Sequence, residues 1–232
     1  MNNLITIGLP SKGRLKDKSI DFFNEKNLKI LQSDKERNYF ASIENKPNLK
    51  IIYLHAKEII QRLGDGTLDI GISGLDLLYE SEKNLQDKIS IKKKLNFGGA
   101  NLVVAVPNDW IDVQTIADLE EVAFDFRKKK NTRLRVATKY PNLTNSFLIS
   151  KGVTQYKLIP SLGATETYPF IFSSEVITDI TSTGKTLADN NLRVLKDGLI
   201  LKSTACLFIS KVKTAKLQSF IKPLFDKNFL AV

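Results

Sequence analysis

Small hydroxyl residues and glycine follow an apolar run between residues 176 and 187. The run contains Asp179, and after it comes Thr181-Ser182-Thr183-Gly184-Lys185-Thr186. Such residues let successive backbone N–H groups converge on a phosphate, and a following helix adds the positive end of its dipole. We therefore predict a phosphate site, with added bonds from the hydroxyls of Thr183 and Thr186 and with Asp179 holding ribose hydroxyls. The alternative is an ordinary strand, an N-capping threonine and a solvated aspartate. The spacing differs from that of a Walker loop.

Two cations and a glycine follow the first apolar run, in Pro10-Ser11-Lys12-Gly13-Arg14. Cations are disfavoured at a helix N-terminus, so Lys12 and Arg14 require a reason there. A bound anion supplies one, because lysine acts as a point charge and arginine clamps two oxygens at once. We predict a pyrophosphate or triphosphate site, against the alternative of an ordinary basic helix start.

Two further strand ends carry candidate binding residues. In Asp69-Ile70-Gly71-Ile72-Ser73-Gly74-Leu75-Asp76, the glycines let a flat or charged ligand approach the backbone. A tight strand-to-helix turn explains them equally well. In Ala137-Thr138-Lys139-Tyr140-Pro141, Lys139 is expected to meet phosphate and Tyr140 to stack on a base. The alternative there is a surface lysine and a half-buried tyrosine.

The elements that must position these residues alternate between strand and helix. Apolar runs predict strands at 4–9, 50–54, 68–72, 101–106, 134–138, 156–159, 176–180, 194–201 and 204–209. Amphipathic stretches predict helices at 14–26, 56–63, 116–129 and 142–150, and from about residues 75 and 214. This alternation is typical of an α/β fold with a mainly parallel sheet. The glycine pair near 98 and the loop near 182 are interpreted as crossings between two lobes. Because ligands bind at the carboxyl edge of such sheets, we expect the four segments to face one cleft.

The composition is that of a globular chain of one large or two small domains. The 232 residues are 42% apolar and 26% charged, which excludes a fully disordered chain. No apolar run approaches the roughly 18–20 residues of a membrane span, and the N-terminus lacks the pattern of a signal peptide. Cys206 and His55 are the only cysteine and histidine, so a disulfide within the chain and a His-rich metal centre are excluded. We expect a cytoplasmic protein, with Cys206 buried and His55 structural.

The net charge of +10 indicates an anionic partner. Six cations lie within residues 127–135, a pattern compatible with nucleic acid but more often the solvated end of a helix. No aromatic residue is interleaved with them, which disfavours a stacking platform for bases.

Taken together, these segments resemble the catalytic chain of ATP phosphoribosyltransferase, the first enzyme of histidine biosynthesis. The resemblance runs in family order from residue 4 to about 210. The matching stretches are 9–15, 69–74, Gly98-Gly99-Ala100-Asn101-Leu102-Val103-Val104-Ala105-Val106, 135–140, Gly163-Ala164-Thr165-Glu166 and 179–187.

The resemblance implies an α/β fold of two lobes like those of periplasmic binding proteins. Their sheets are expected to be mixed and mainly parallel, with the active site in the cleft between the lobes. The first lobe would comprise residues 1–97 and 183–232, and the second residues 98–182. The implied substrates are ATP and phosphoribosyl pyrophosphate, and the implied cofactor is Mg²⁺.

The resemblance further implies a short-form enzyme. Full-length members carry an additional histidine-binding domain, for which the sequence leaves no room after Val232. Short-form chains require a regulatory subunit related to histidyl-tRNA synthetase, typically in a hetero-octamer. A homodimer of the catalytic chain is also expected, without a nucleic-acid or membrane partner.

Residue roles follow from the same resemblance. Asp179 and the 181–186 loop would hold the ribose and 5-phosphate, with Glu166 near the same sugar or sharing a metal with Asp179. Lys12 and Arg14 would be catalytic, near the pyrophosphate. The nucleotide-binding set would comprise Gly13, Arg37, Lys57, Ser73, Gly74, Asp76, Lys139 and Tyr140.

The chain departs from the family pattern in two places. Relatives often have an arginine after the second strand, where this chain has His55-Ala56-Lys57, so Lys57 is the expected substitute. After Glu166, bulky Tyr168, Phe170 and Phe172 replace small residues, which predicts a bulkier wall beside the substrate.

The expected reaction is a direct displacement in which adenine N1 of ATP attacks C1 of the phosphoribosyl group and pyrophosphate leaves. No nucleophilic side chain is required, and catalysis would depend on positioning and charge neutralisation. The principal alternative is a two-lobed module that binds an anionic ligand without turnover. A nucleic-acid-binding protein is the second alternative.

Overall fold

The computed structural model describes residues 4–32 and 39–212. They form two compact units, one up to Gly98 and again from Thr204, the other spanning Gly99–Ser203. The chain thus crosses at the glycine pair, within one residue of the expected boundary. The return crossing lies after Ser203 rather than near 182, because residues 192–203 pair with the sheet of the second unit. Residues 183–203 therefore belong to the second unit, which corrects the expected lobe boundary.

Arg37 and the helix expected from about residue 214 lie outside the described residues.

The first unit contains a seven-stranded sheet in the order β2-β3-β4-β1-β5-β12-β6. Its elements are β1 (Ile5–Pro10), α1 (Gly13–Asn24), β2 (Ile30–Gln32), β3 (Phe40–Ile43), β4 (Lys46–Leu54), α2 (Ala56–Gly64), β5 (Ile70–Gly74), α3 (Leu75–Glu80), α4 (Lys83–Gln86), β6 (Ile89–Lys94) and, after the second unit, β12 (Ala205–Ser210). Strands β4, β1 and β5 are parallel, and the flanking pairs are antiparallel.

The second unit contains a five-stranded sheet in the order β11-β7-β10-β8-β9. Its elements are β7 (Ala100–Pro107), α5 (Ile116–Lys130), β8 (Leu134–Thr138), α6 (Pro141–Ser150), β9 (Tyr156–Pro160), a 3₁₀ turn at Thr165–Thr167, β10 (Val176–Thr181), α7 (Lys185–Asp189) and β11 (Leu192–Ser203). Strands β10, β8 and β9 are parallel. The mixed α/β architecture is confirmed, although the parallel pairs are confined to three strands in each sheet.

Several of the predicted strands are buried on both faces, as expected of central strands covered by helices, whereas the predicted strands β9 and β11 are only partly buried. Strands β1 and β5 are buried along almost their whole length. By contrast, β2, β3 and β6 were not predicted, because they are short or carry exposed polar residues. Among the described residues, no helix is long and apolar enough to cross a membrane.

The basic run begins in the last turn of α5. This helix starts with a capping box in which Thr115 and Asp118 exchange hydrogen bonds, and it ends at Asn131 in the left-handed conformation. The last turn holds four consecutive cations, 127–130, where the helix dipole favours positive charge. This placement favours the interpretation of the run as a solvated helix end.

Candidate functional site

Three adjacent parallel strands of the first unit end at one edge of the sheet, and predicted site residues follow each of them. Lys57 follows β4, Lys12 follows β1, and Ser73 lies at the end of β5. The ends of β1 and β4 are in register, since Pro10 pairs with Leu54 and the N–H of Ser11 donates to the Leu54 carbonyl at 2.8 Å. The topology therefore brings the three predicted segments of this unit to a common edge, where α/β folds bind ligands.

The turn before α1 presents two exposed cations beside a helix start. Lys12 is the N-cap residue, and its side chain makes no capping bond. Gly13 has φ +73°, and a Cβ there would meet nothing within 4 Å. The first helical turn contains no acidic residue, and Lys12 and Arg14 are both exposed. Open space, helix N–H groups and two cations together suit an anion.

The start of α2 explains the single histidine. The N–H of Lys57 donates to Nδ1 of His55 at 3.3 Å, so His55 caps the helix. This interaction agrees with the structural role expected for His55. The Lys57 side chain itself is exposed at the same sheet edge as Lys12.

At the end of β5 the small residues serve packing and turn geometry. A Cβ on Gly71 would lie 2.5 Å from Cγ2 of Ile59, and one on Gly74 would lie 2.3 Å from Oδ1 of Asp76. The hydroxyl of Ser73 is buried and donates to the Ala56 carbonyl at 2.7 Å. These contacts favour the tight-turn interpretation over close approach of a ligand. Ser73 and Asp76, both expected on the nucleotide side, are buried within the unit.

In the second unit the ends of β10, β8 and β9 bring predicted residues into one cluster. Asp179 lies in β10, Lys139 follows β8, and Glu166 lies in the 3₁₀ turn after β9. The charges of Lys139 and Glu166 both act on the Asp179 carboxylate. Residues predicted separately for the two substrates thus meet at one sheet edge.

Burial raises the pKa of Asp179 above its ordinary value of 3.8. The neighbouring charge of Glu166 adds to this, while a bond from the N–H of Ile180 at 2.8 Å, the charge of Lys139 and the Thr165 hydroxyl lower the pKa. The net shift is upward, so the free chain holds this carboxylate at a cost that a ligand hydroxyl or a cation would relieve.

Two functional candidates beside Asp179 were missed from the sequence. Thr165 is fully buried, and its hydroxyl lies within hydrogen-bonding reach of the Asp179 carboxylate. The Thr165 hydroxyl also lies 2.8 Å from that of Ser161, and the two hydroxyls lie 3.1 and 3.0 Å from the carbonyl oxygen of Gly163. Only the neighbouring Glu166 drew attention in the sequence, because a threonine within a turn carries no distinctive signal.

The hydroxyl-rich loop after β10 is exposed, apart from the partly covered Thr181 and Gly184. The N–H of Gly184 donates to the Thr181 hydroxyl at 2.8 Å, and that of Lys185 donates to the Thr183 hydroxyl at 3.3 Å. Gly184 has φ +76° with open space beside it. The helix that follows is only five residues long, so its dipole contributes less than the sequence suggested.

The two residues after β8 differ in exposure. Lys139 is exposed, whereas Tyr140 is buried, which leaves little of its ring for the expected stacking on a base. Beyond Glu166, Tyr168 packs against the apolar cluster under the sheet. Phe170 and Phe172 are instead exposed, with 47% and 83% of their surface accessible.

Comparisons with known proteins identify the family of the chain. A family model described as ATP phosphoribosyltransferase matches residues 55–227. The ATP phosphoribosyltransferase of Brucella melitensis is 47% identical over 204 residues, which are 88% of each chain. The chain belongs to the ATP phosphoribosyltransferase family.

Solved structures extend the likeness to the whole fold. An ATP phosphoribosyltransferase in a HisG:HisZ complex from Thermotoga maritima superposes with a TM-score of 0.71 at 25% identity, covering 95% of this chain and 96% of that one. The extracellular-binding protein of a probable amino-acid transporter from Bacillus subtilis superposes with a TM-score of 0.52 at 13% identity, covering 98% and 94%. The second likeness shows the fold alone, and it agrees with the expected relation to periplasmic binding proteins.

Family membership assigns the chain to the phosphoribosyltransferases, a class of glycosyltransferase, and to the first step of histidine biosynthesis. Within the described part of the chain, no group of three or more His, Cys, Asp or Glu side chains is arranged to hold a metal ion.

Proposed function

We propose that this chain transfers the phosphoribosyl group of phosphoribosyl pyrophosphate to N1 of the adenine of ATP. A bond forms between N1 and C1 as the bond between C1 and the pyrophosphate oxygen breaks. The observation that carries the proposal, beside family membership, is the meeting of Asp179, Glu166, Thr165 and Lys139 at the ends of three parallel strands.

In this proposal the second unit binds the sugar phosphate. Asp179 accepts hydrogen bonds from the ribose hydroxyls, which relieves the cost of holding a desolvated carboxylate. The 5-phosphate takes the backbone N–H groups of Gly184 and Lys185, which the threonine hydroxyls occupy in the free loop. The displaced hydroxyls of Thr181 and Thr183, with those of Ser182 and Thr186, then donate to the phosphate.

The first unit supplies positive charge. Lys12, Arg14 and Lys57 lie at one sheet edge and neutralise the phosphates of ATP and the leaving pyrophosphate. Gly13 leaves the backbone accessible beside them. Because the attacking nitrogen belongs to ATP, the enzyme needs no nucleophilic side chain, and positioning with charge stabilisation supplies catalysis.

Mg²⁺ is the proposed cofactor, held by Asp179 and Glu166 together with substrate oxygens. Carboxylate oxygens suit this ion, which commonly takes only one or two protein carboxylates beside phosphates and water. The absence of a three-ligand cluster among the described residues agrees with such shared coordination. When bound, the ion would neutralise charge that develops on pyrophosphate.

We also propose a regulatory partner related to histidyl-tRNA synthetase, in a hetero-octamer that contains homodimers of this chain. The support is the likeness to the Thermotoga maritima enzyme, whose structure is a HisG:HisZ complex. No residue of this chain is assigned to that interface.

The test is release of pyrophosphate from ATP and phosphoribosyl pyrophosphate with Mg²⁺, with and without a synthetase-like partner. Wild type is expected to turn over, and to do so faster with the partner. Lys12→Ala is expected to lose most activity, whereas Lys18→Ala, an exposed lysine on the same helix, is expected to retain it. Calorimetric binding of both substrates without turnover, under conditions where a known family enzyme works, would instead support a binding module.

A further inference from the structure

Three threonine hydroxyls form a closed ring inside the second unit. Thr138 ends β8, Thr144 lies in the first turns of α6, and Thr178 lies in β10. Their Oγ1 atoms are separated by 3.1 Å (138 to 144), 2.7 Å (144 to 178) and 2.6 Å (178 to 138). The three residues are 2%, 0% and 0% exposed, so solvent does not reach the ring.

The direction of the hydrogen bonds around the ring follows from proton counting. The Thr178 hydroxyl donates to that of Thr138. Each hydroxyl has one proton, so Thr138 donates to Thr144 and Thr144 donates to Thr178. The N–H of Tyr140 also donates to the Thr138 hydroxyl at 2.8 Å. Every hydroxyl is therefore satisfied, and removal of any one leaves the O–H of one neighbour without its acceptor in a buried place.

The ring lies directly beneath the proposed site. Thr138 immediately precedes Lys139, and Thr178 immediately precedes Asp179. The parallel pairing of β10 with β8 ends at Thr178 and Thr138, so this ladder does not extend to Lys139, whereas Asp179 remains paired with Val103 of β7. The carbonyl of Thr138 further accepts the N–H of Ser161 at 2.9 Å, at the start of the loop that carries Glu166.

We infer that Thr138, Thr144 and Thr178 are positioning residues for phosphoribosyl transfer, and that their hydroxyl ring fixes Lys139 relative to Asp179. Valine has nearly the shape of threonine and suits the buried strand positions 138 and 178, so apolar packing alone does not require hydroxyls at these two positions. Hydrogen bonds between hydroxyls are directional, so the ring forms in only one arrangement of β8, α6 and β10. The inference rests on the proposed function.

The test compares Thr144→Val with Thr144→Ser, and Thr154→Val serves as an exposed control in the same unit. Thr144→Val keeps the shape and removes the hydroxyl, whereas Thr144→Ser keeps the hydroxyl. The substrate-contacting side chains are all retained and only their alignment is lost, so KM for both substrates is expected to change less than about threefold, while kcat falls about tenfold or more. Thr144→Ser and Thr154→Val are expected to keep kcat near wild type.

A structural readout accompanies the kinetics. Assays are run well below the thermal midpoint of each variant, with folding followed by fluorescence of Trp110, the only tryptophan. Amide exchange at Tyr140 is expected to quicken in Thr138→Val, since its acceptor is removed. Wild-type kcat in folded Thr144→Val, or an equal loss in Thr144→Ser, would overturn the inference. An inactive wild type, with the partner present, would instead overturn the proposed function and the inference with it.

Discussion

Substitution of Gly71 by alanine separates a packing role from a ligand-binding role. Gly71 of β5 pairs with Gly8 of β1, and helix α2 lies across both strands. A Cβ on Gly71 would lie 2.5 Å from Cγ2 of Ile59 and 3.2 Å from Cδ1 of Leu63. Both of these side chains are fully buried, so neither can turn into solvent.

The magnitude follows from two opposing effects. Ile59 is β-branched and stiff about χ1 in a helix, so the helix itself must shift, and such overpacking costs about 1–3 kcal/mol. Alanine in place of glycine recovers about 0.5–1 kcal/mol of backbone entropy. We therefore expect Gly71→Ala to lower the free energy of unfolding by about 1–2 kcal/mol.

The assay is urea-induced unfolding followed by far-UV circular dichroism, with Gly99→Ala as the matched control. A Cβ on Gly99 would meet nothing within 4 Å, so its effect is expected to stay within about 0.5 kcal/mol. A second variant, Ile59→Ala, removes the atom that clashes. The loss of unfolding free energy in the double variant should be smaller than the sum of the losses in the two single variants, by about 1 kcal/mol or more.

Strict additivity would refute the clash as the cause. A Gly71→Ala protein of wild-type stability with weakened ATP binding would refute the packing argument altogether, and would restore close approach of a ligand as the reason for this glycine.

Three further outcomes are expected. Arg14→Ala should lower kcat/KM about a hundredfold or more without a change in thermal midpoint, because the side chain is exposed; an activity near wild type removes Arg14 from catalysis. Asp179→Asn should abolish activity yet stabilise the free chain at pH 7. Because the pKa of Asp179 is raised in the folded chain, its contribution to folding stability is present below about pH 4 and is lost as pH rises through the folded-state pKa. The unfolding free energies of variant and wild type, measured as a function of pH, should therefore converge in acid. Glu175→Gln should lower the free energy of unfolding by about 1.5–3 kcal/mol, because the Glu175 carboxylate accepts from the Arg135 guanidinium at 2.5 Å and from the backbone N–H of Arg135 at 2.8 Å. Urea-induced unfolding tests this, and kcat of the folded variant should match that of wild type.

The parts of the fold that sequence predicts are those in which burial dictates residue type. Strands β1, β5 and β7 were predicted because they are largely buried and rich in apolar residues. The edge strand β6 contains Ile-Ser-Ile-Lys-Lys-Lys and is largely exposed, so its sequence carries little strand signal. The return crossing was misplaced for a related reason: a loop near 182 resembles a boundary, whereas sheet pairing of β11 decides it.

The candidate site was predicted to a similar extent. Charged residues at strand ends, such as Lys139 and Asp179, stand out by type and spacing, and parallel pairing brings them together. Thr165 and Thr144 do not stand out, because a threonine in a turn or helix is common and its partners are distant in sequence. Their hydrogen bonds with Asp179 and Thr178 depend on tertiary contacts alone.

The glycines beside strand ends divide into two classes that sequence does not distinguish. At Gly71 and Gly74 a side chain fills the space where a Cβ would lie. At Gly13 and Gly184, φ is +73° and +76°, and nothing lies within 4 Å of that position. Only the second class leaves backbone accessible to a ligand while needing the left-handed conformation that glycine adopts without strain. These two glycines lie in the segments predicted for anions and follow strand ends, whereas Gly152, with φ +83° and equally open space, follows helix α6. An open left-handed glycine therefore supports the predicted phosphate loops only where it follows a strand.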